Sequence, residues 1–342
     1  MPTIKDVARE AGVSTATVSY VLNQKKSYLI SPATRELVLD AVKKVGYAPN
    51  AAARNLKASQ SHLIGYAWHV APSGGMNSVL DSFTYYLAQS AEAAGYHLLT
   101  FTHTDKGPLP VYEEMIQSGR VDAFVLSDTT NDDKRISYLL EMGYPFVSFG
   151  RSNPDWDFPW VDTDGKQGME QAVRYLLELG HRRIAMAAWP EDSISGTVRA
   201  DGYIDTMRSA GLSIPPVYIQ RGEHSEEAGQ RAFNCWMQLP PAERPTAVVC
   251  ITDLVASGVM SAAEAQGVVI GRDLSVIGFD DAPLAQYIRP HLTTLQQAIP
   301  EITQALLKML ETVLKKDNST PSHCLIAPRL IIRDSCGSPS SR

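Results

Sequence analysis

From residue 62 onward, short apolar runs alternate with stretches of helical period, and this alternation restricts the fold more than any other feature of the chain. LIGYAWHV is followed by a helix near 78–94, YHLLTF, a helix near 110–118, DAFVLS, a helix near 132–142 and PFVSFG. The pattern then restarts: a helix over 165–179, RRIAMAAW, 197–210, VYIQ, 225–238, AVVCI, 253–266 and LSVIGF. Strand–helix repetition of this kind builds a parallel sheet covered by helices. Two such runs predict two doubly wound halves. Ligands of these sheets bind beyond the carboxyl ends of the strands, so two facing halves enclose a cleft.

The first sixty residues follow a different rule. Thr3 to Ala11 has a helix start at Thr3, with Asp6 three residues on as capping partner and Ile4, Val7, Ala8 and Ala11 on one face. Gly12 supplies the backbone freedom for a tight turn, Ser14 is a good N-cap, and a second helix follows with Val18, Val21 and Leu22 inward. Two short helices about a glycine turn make a helix-turn-helix, whose second helix lies in the major groove of DNA. A third helix is expected from Ser31-Pro32 to Gly46, with Leu37, Val38, Ala41, Val42 and Val45 closing the small core. Tyr47-Ala-Pro-Asn50 then forms a turn whose asparagine can cap a short helix, Ala51 to Leu56. That segment is too short to be stable alone.

Charge is divided accordingly. The 342 residues carry a net −6, which disfavours phosphate binding when averaged over the chain. Residues 1–61 hold nine Lys/Arg against four Asp/Glu, a balance of +5, so the remaining 281 residues, with 22 against 33, carry −11. A basic head on an acidic body suits phosphate attraction at one end only. The four cysteines, 235, 250, 324 and 336, are far apart and form no C-x-x-C pair, which argues against a zinc site or a disulfide framework. No apolar run has membrane-spanning length. The start, MPTIKDVAREAG, lacks the features of a secretion signal, so a cytoplasmic protein without cofactor is expected.

IKDVAREAGVSTATVSYVLN, followed by SPATRELVLDAVKKVGYAPNAAARNLK, resembles the head of the lactose-repressor (LacI) family without a gap. The resemblance implies that Thr15 and Ala16 stand at the base-contacting start of the recognition helix and Tyr20 one turn later. It also implies that the 51–56 segment is a hinge helix entering the minor groove, with Leu56 as a wedge that kinks a paired, symmetric site. The expected DNA contacts are Thr3, Ser14, Thr15, Ala16, Thr17, Ser19, Tyr20 and Asn23 in the head, and Asn50, Ala53, Arg54, Leu56 and Lys57 in the hinge, where Arg54 and Lys57 suit phosphate.

GHRRIAMA, Arg199-Ala-Asp-Gly-Tyr203, Cys250-Ile-Thr-Asp253 and Ser275-Val-Ile-Gly-Phe-Asp-Asp281 are similar to the effector domain of the same family, which has the periplasmic sugar-binding fold. The expected architecture is thus a small all-α head (1–48), a hinge and linker (49–61) and an α/β body (62–336). That fold implies crossings, with the N-terminal half made of about 62–160 and 293–320 and the C-terminal half of about 161–292 and 321–336. Arg199 and Asp280 match the family's ligand positions, and a guanidinium fork and a carboxylate can each engage vicinal hydroxyls. Thr252 falls at a polar contact position and His224 where the lactose repressor carries a large aromatic. Leu126-Ser-Asp-Thr-Thr130, DDKRI and PFVSFGR151 look more like members that sense maltose or other α-glucosides, which adds Asp128, Thr129 and Arg151. Trp68, Trp156 and Trp160 are either stacking platforms or core.

These features point to a ligand-controlled, DNA-binding transcription regulator, most simply a repressor, acting as a homodimer on a pseudo-palindromic operator and answering to a mono- or oligosaccharide. A soluble sugar-transport protein is the alternative from the body alone, but it leaves the basic head without a use. Nucleophile elbow, H-E-x-x-H and Walker loop are all absent, so no enzyme is expected. The tail RDSCGSPSSR has no leucine heptad for a larger assembly.

Overall fold

The alternation is realised in a computed structural model that describes residues 2–22, 30–47, 60–68, 77–103, 107–317 and 322–339. The chain forms two compact units, residues 1–62 and 63–342. In the first, α1 (Ile4–Ala11) starts at Thr3, whose backbone N–H and hydroxyl both donate to the Asp6 carboxylate at 2.9 and 2.7 Å. Gly12 ends α1 at φ +63°, a conformation that costs a residue without Cβ nothing. Ser14 caps α2 (Thr15–Leu22) by accepting from Thr17 N at 3.1 Å, and Ser31 caps α3 (Pro32–Val45) by accepting from Thr34 N.

Val7, Ala8, Val18, Val21, Val38 and Ala41 form the buried core of this unit. Leu37, expected in it, is 58% exposed. With Val38 and Ala41 pointing inward, a residue one position earlier is turned about 100° away on a helix, so the apolar run Leu37-Val38-Leu39 cannot all face one side. The expected hinge helix 51–56 lies outside the described residues.

The body has two six-stranded sheets. The N-lobe sheet uses β1 (Leu63–Ala67), β2 (His97–Phe101), β3 (Ala123–Leu126), β4 (Phe146–Phe149) and β5 (Trp160–Thr163), with α4 (Ser78–Ala93), α5 (Leu109–Gln117) and α6 (Lys134–Glu141) between them. The C-lobe uses β6 (Ile184–Ala188), β7 (Ile219–Arg221), β8 (Ala247–Cys250) and β9 (Ser275–Asp280), with α7 (Gly165–Glu178), α8 (Ile194–Ser209), α9 (Glu226–Met237) and α10 (Asp253–Ala265), and then the short α11 (Pro283–Tyr287). The last segments are β10 (Thr293–Gln296), α12 (Ile299–Lys315), β11 (His323–Ile326) and β12 (Arg329–Ile331). Strand orders are β11-β5-β4-β3-β1-β2 and β12-β10-β9-β8-β6-β7, parallel except for β12 against β10.

The crossings differ from those expected. Thr293–Gln296 pairs with β9 in the C-lobe, and only α12 belongs to the N-lobe, where Ile302, Leu306 and Leu310 join Phe83 and Leu87 of α4. His323–Ile326 pairs with β5 in the N-lobe, and the C-lobe resumes only at β12. Trp160–Thr163 also belongs to the N-lobe. Four-residue strands carry no periodicity that assigns them to one sheet or the other; pairing alone decides. The chain therefore passes between lobes three times, at 163–165, 296–299 and 326–329.

Candidate functional site

The carboxyl ends of the C-lobe strands gather a buried polar cluster. Arg199 comes in on α8, which Ser193 caps by accepting from Gly196 N. Its Nη1 donates to Ile251 O at 2.7 Å, and its guanidinium carbon lies 3.6 Å from the Phe279 ring centroid and 5.3 Å from that of Trp189. Gly165 makes this possible, since a Cβ there would sit 2.8 Å from Arg199 Cγ. Asp280 ends β9 with φ +118°, a region an L-residue occupies only when its surroundings hold it. Its Oδ1 accepts from Gln297 Nε2 at 2.8 Å. Burial pushes the Asp280 carboxyl up to about 6, against the pull of Arg199 and Gln297, and burial likewise lowers the Arg199 guanidinium. Burial thus outweighs the attraction between the two groups, as expected where charges are removed from water.

Thr252 and His224 join this cluster. The Thr252 hydroxyl caps α10 by accepting from Val255 N at 3.4 Å and stands 3.2 Å from His224 Nδ1. His224 lies edge-on to Trp189, 6.2 Å between centroids, and burial followed by the Arg199 charge lowers its pKa, so it is neutral at pH 7. The indole N–H of Trp189 is buried and has no acceptor among the described residues.

From the N-lobe, Asp128 is exposed at φ +50°, and its charge acts on His224. Its loop is pinned by a pair of buried side chains. Arg135 donates twice to Asp133, at 3.0 and 2.7 Å, and also to the carbonyls of Ser127 and Asp128. Thr129 and Arg151 are bonded within their own lobe. Thr129 Oγ1 donates to Arg151 O at 2.7 Å, and Arg151 Nε donates to Asp162 Oδ2 at 2.8 Å. It is Asp162, buried and raised in pKa by that burial, whose charge reaches Arg199. Two contacts join the lobes here: Asn131 Nδ2 donates to Asp192 O, and Thr163 Oγ1 donates to Gln297 Oε1, both at 2.5 Å.

The neighbouring acids are structural. Asp253 accepts from Thr294 Oγ1 and Ala282 N, and Asp281 pairs with Arg333 at 2.5 Å and accepts from Gln296 Nε2. Trp156 and Trp160 pack on the N-lobe core, Trp160 also stacking on His323, whereas Trp68 is 39% exposed. A cavity of about 440 Å³ adjoins Asp280 and Gln297, walled by Ser78 and Ser82 of α4 and Ile299 of α12.

Sequence reasoning missed Asp162, Trp189, Phe279 and Gln297. Trp189 carried a signal, because it immediately follows the apolar run that ends in β6, where ligands of such sheets bind. Gln297 had none, since only the crossing after β10 brings it to the cleft.

In the head, Thr15 and Ala16 are exposed on the first turn of α2 and Tyr20 is 37% exposed one turn on. Ser14 and Thr17 share a 2.9 Å hydroxyl contact, Ser19 is half-buried, and the Thr3 hydroxyl is turned to Asp6. Asn23, Asn50, Ala53, Arg54, Leu56 and Lys57 lie outside the described residues.

Known proteins resemble both units. Residues 3–50 match the model of bacterial regulatory proteins of the lacI family, and residues 173–336 that of the periplasmic binding protein-like domain. The HTH-type transcriptional repressor PurR of Klebsiella pneumoniae (strain 342) is 32% identical over 339 residues, 98% of this chain and 97% of its own length. The lac repressor dimer bound to operator and the anti-inducer ONPF superposes with TM-score 0.81 at 25% identity, covering 98% of this chain and 99% of that one. The complex of the transcriptional regulator CelR with cellobiose gives 0.73 at 26%, covering 98% and 100%. The chain therefore belongs to the lacI family of bacterial regulatory proteins, as a DNA-binding transcriptional repressor controlled by a small-molecule ligand and not an enzyme.

Proposed function

We propose that the controlling ligand is a saccharide and that Arg199 and Asp280 hold it through vicinal hydroxyls. The observation that carries this reading is the buried guanidinium–carboxylate cluster faced by Phe279, Trp189 and His224, with the Trp189 indole N–H lacking an acceptor among the described residues. Polar groups that bond hydroxyls and aromatic faces that cover C–H surfaces are the two things a sugar ring needs. The likeness to a cellobiose complex supports the same class. Asp128 and Thr252 complete the polar wall, Thr129 and Arg151 act through the main chain and Asp162, and an α-glucoside is the first class to screen because of the 126–136 segment.

On the DNA side, Thr15, Ala16 and Tyr20 face base edges, Ser14, Thr17, Ser19 and Asn23 flank them, and Thr3 lies at the backbone. Asn50, Ala53, Arg54, Leu56 and Lys57 engage the minor groove and its phosphates. One helix-turn-helix buries too little surface for tight specific binding, so two copies act on a pseudo-palindromic operator. The likeness to a repressor dimer on operator supports this arrangement, and the protein acts in the cytoplasm, where its operator is.

A thermal-shift screen of the full chain against mono- and disaccharides tests the ligand class. A saccharide at 100 times its dissociation constant raises stability by about 2.7 kcal/mol. No shift with any saccharide, or a shift that survives Arg199→Ala, rejects the reading. Deleting residues 1–60 should abolish operator binding and spare the ligand.

A further inference from the structure

A second cavity, of about 420 Å³, lies in the C-lobe at the opposite ends of the strands from Asp280 and Thr252. Arg183 precedes β6, Thr246 precedes β8 and Leu274 precedes β9, so this space opens at the amino edge of the sheet, away from the cleft. Its floor is apolar. Phe233 and Leu274 are buried, and Met237 and Val268 are half-buried against the same core.

The rim is cationic. Arg183 Nε donates to Arg244 O at 2.8 Å, and Arg244 Nε donates to Leu239 O at 3.0 Å. Each guanidinium is thereby fixed by a main-chain carbonyl through its Nε, while its two terminal nitrogens have no acceptor among the described residues. Asp273, also on the wall, is already engaged with Arg272 at 2.8 Å and with Val269 N at 3.1 Å. In a body that carries −11 overall, this cavity thus has two arginines on its wall.

We propose that this cavity is a second small-molecule site, distinct from the cleft, for an amphipathic monocarboxylic acid with an aromatic or branched aliphatic body. Its volume falls in the range of ligand pockets, and its composition is that of one: a mainly apolar lining with a few converging polar groups. The apolar body covers Phe233, Met237, Val268 and Leu274. The carboxylate takes the terminal N–H groups of Arg183 and Arg244, whose planar forks match it bidentately. A dianion is disfavoured, because a second charge would meet the Asp273 carboxylate.

The test uses the full chain and phenylacetate, with phenylacetamide as its uncharged counterpart, by isothermal titration. Phenylacetate should bind saturably and about tenfold or more tighter than the amide. Arg183→Gln/Arg244→Gln should remove that preference, and Arg199→Ala should leave it untouched. Ala242 is exposed on the rim, so Ala242→Glu and Ala242→Lys are independent of folding and should weaken and strengthen binding of the acid. Absence of saturable binding, equal affinity for acid and amide, indifference to both Ala242 variants, or loss in Arg199→Ala would each overturn the proposal; the last would put the acid in the cleft.

Discussion

Gln297 donates its side-chain amide to the Asp280 carboxylate at 2.8 Å while its carbonyl accepts from Thr163 on the other lobe. The residue sits in the crossing segment between β10 and α12 with one contact on each half of the body, so any rotation between lobes changes the partner of Asp280. Gln297→Ala should weaken ligand binding by about 1–3 kcal/mol, the range for leaving buried polar groups unpaired, and should reduce the coupling between ligand and operator. Ligand titrations with and without operator check both. An unchanged coupling would detach the crossing from the switch.

The raised carboxyl of Asp280 makes ligand binding depend on pH. Burial lifts it from the ordinary range near 4 to about 6, so between those values the folded protein holds a proton that the unfolded chain has lost. Its contribution to stability is therefore present at low pH and is lost as pH rises through about 6. Binding runs the other way, because sugar hydroxyls donate to the ionised form. Affinity should rise from pH 5 to pH 7, about tenfold per unit below 6, and become flat in Asp280→Asn. A pH-independent wild type would remove Asp280 from the ligand.

Arg333 holds the loop that presents this carboxylate. Its Nη2 meets Asp281, its Nη1 donates to Leu292 O, and both charged side chains are largely buried. Arg333→Met leaves the Asp281 charge without its partner and should cost about 3–5 kcal/mol, read as a lower thermal midpoint, together with weaker ligand binding. Arg333→Lys, which keeps the charge, should recover part of both.

Ser14 acts on the other unit. Ser14→Ala removes the oxygen that Thr17 N donates to and should cost the head about 1 kcal/mol, seen as weaker operator binding. The ligand affinity of the body should not move. If it did, the two functions would not be separable as described.

Much of this was legible in the chain. Thr3, Ser14 and Ser31 announce helix starts through short-range chemistry, and each stands at the start of the helix it was expected to open. Asp280 ends β9 and Arg199 stands in the second turn of α8, so both candidate groups lie at the carboxyl ends of the C-lobe strands. Leu37 was misread because propensity does not say which of three adjacent apolar residues turns inward. Trp160–Thr163 and His323–Ile326 were placed around the wrong half because strands of four residues acquire a sheet only by pairing. Asp162 and Gln297 reach Arg199 and Asp280 through contacts 37 and 17 residues distant in the chain, which no local pattern encodes.

Reciprocal linkage between ligand and operator tests the central claim most directly. Operator affinity should be measured by fluorescence anisotropy across a saccharide titration, in the wild type and in Arg199→Ala. The expected result is a saccharide that shifts wild-type operator affinity, with the same factor recovered when ligand affinity is measured with and without operator, and no shift in Arg199→Ala at unchanged intrinsic operator affinity. A shift of equal size in the variant, or a wild type indifferent to every saccharide, would contradict it.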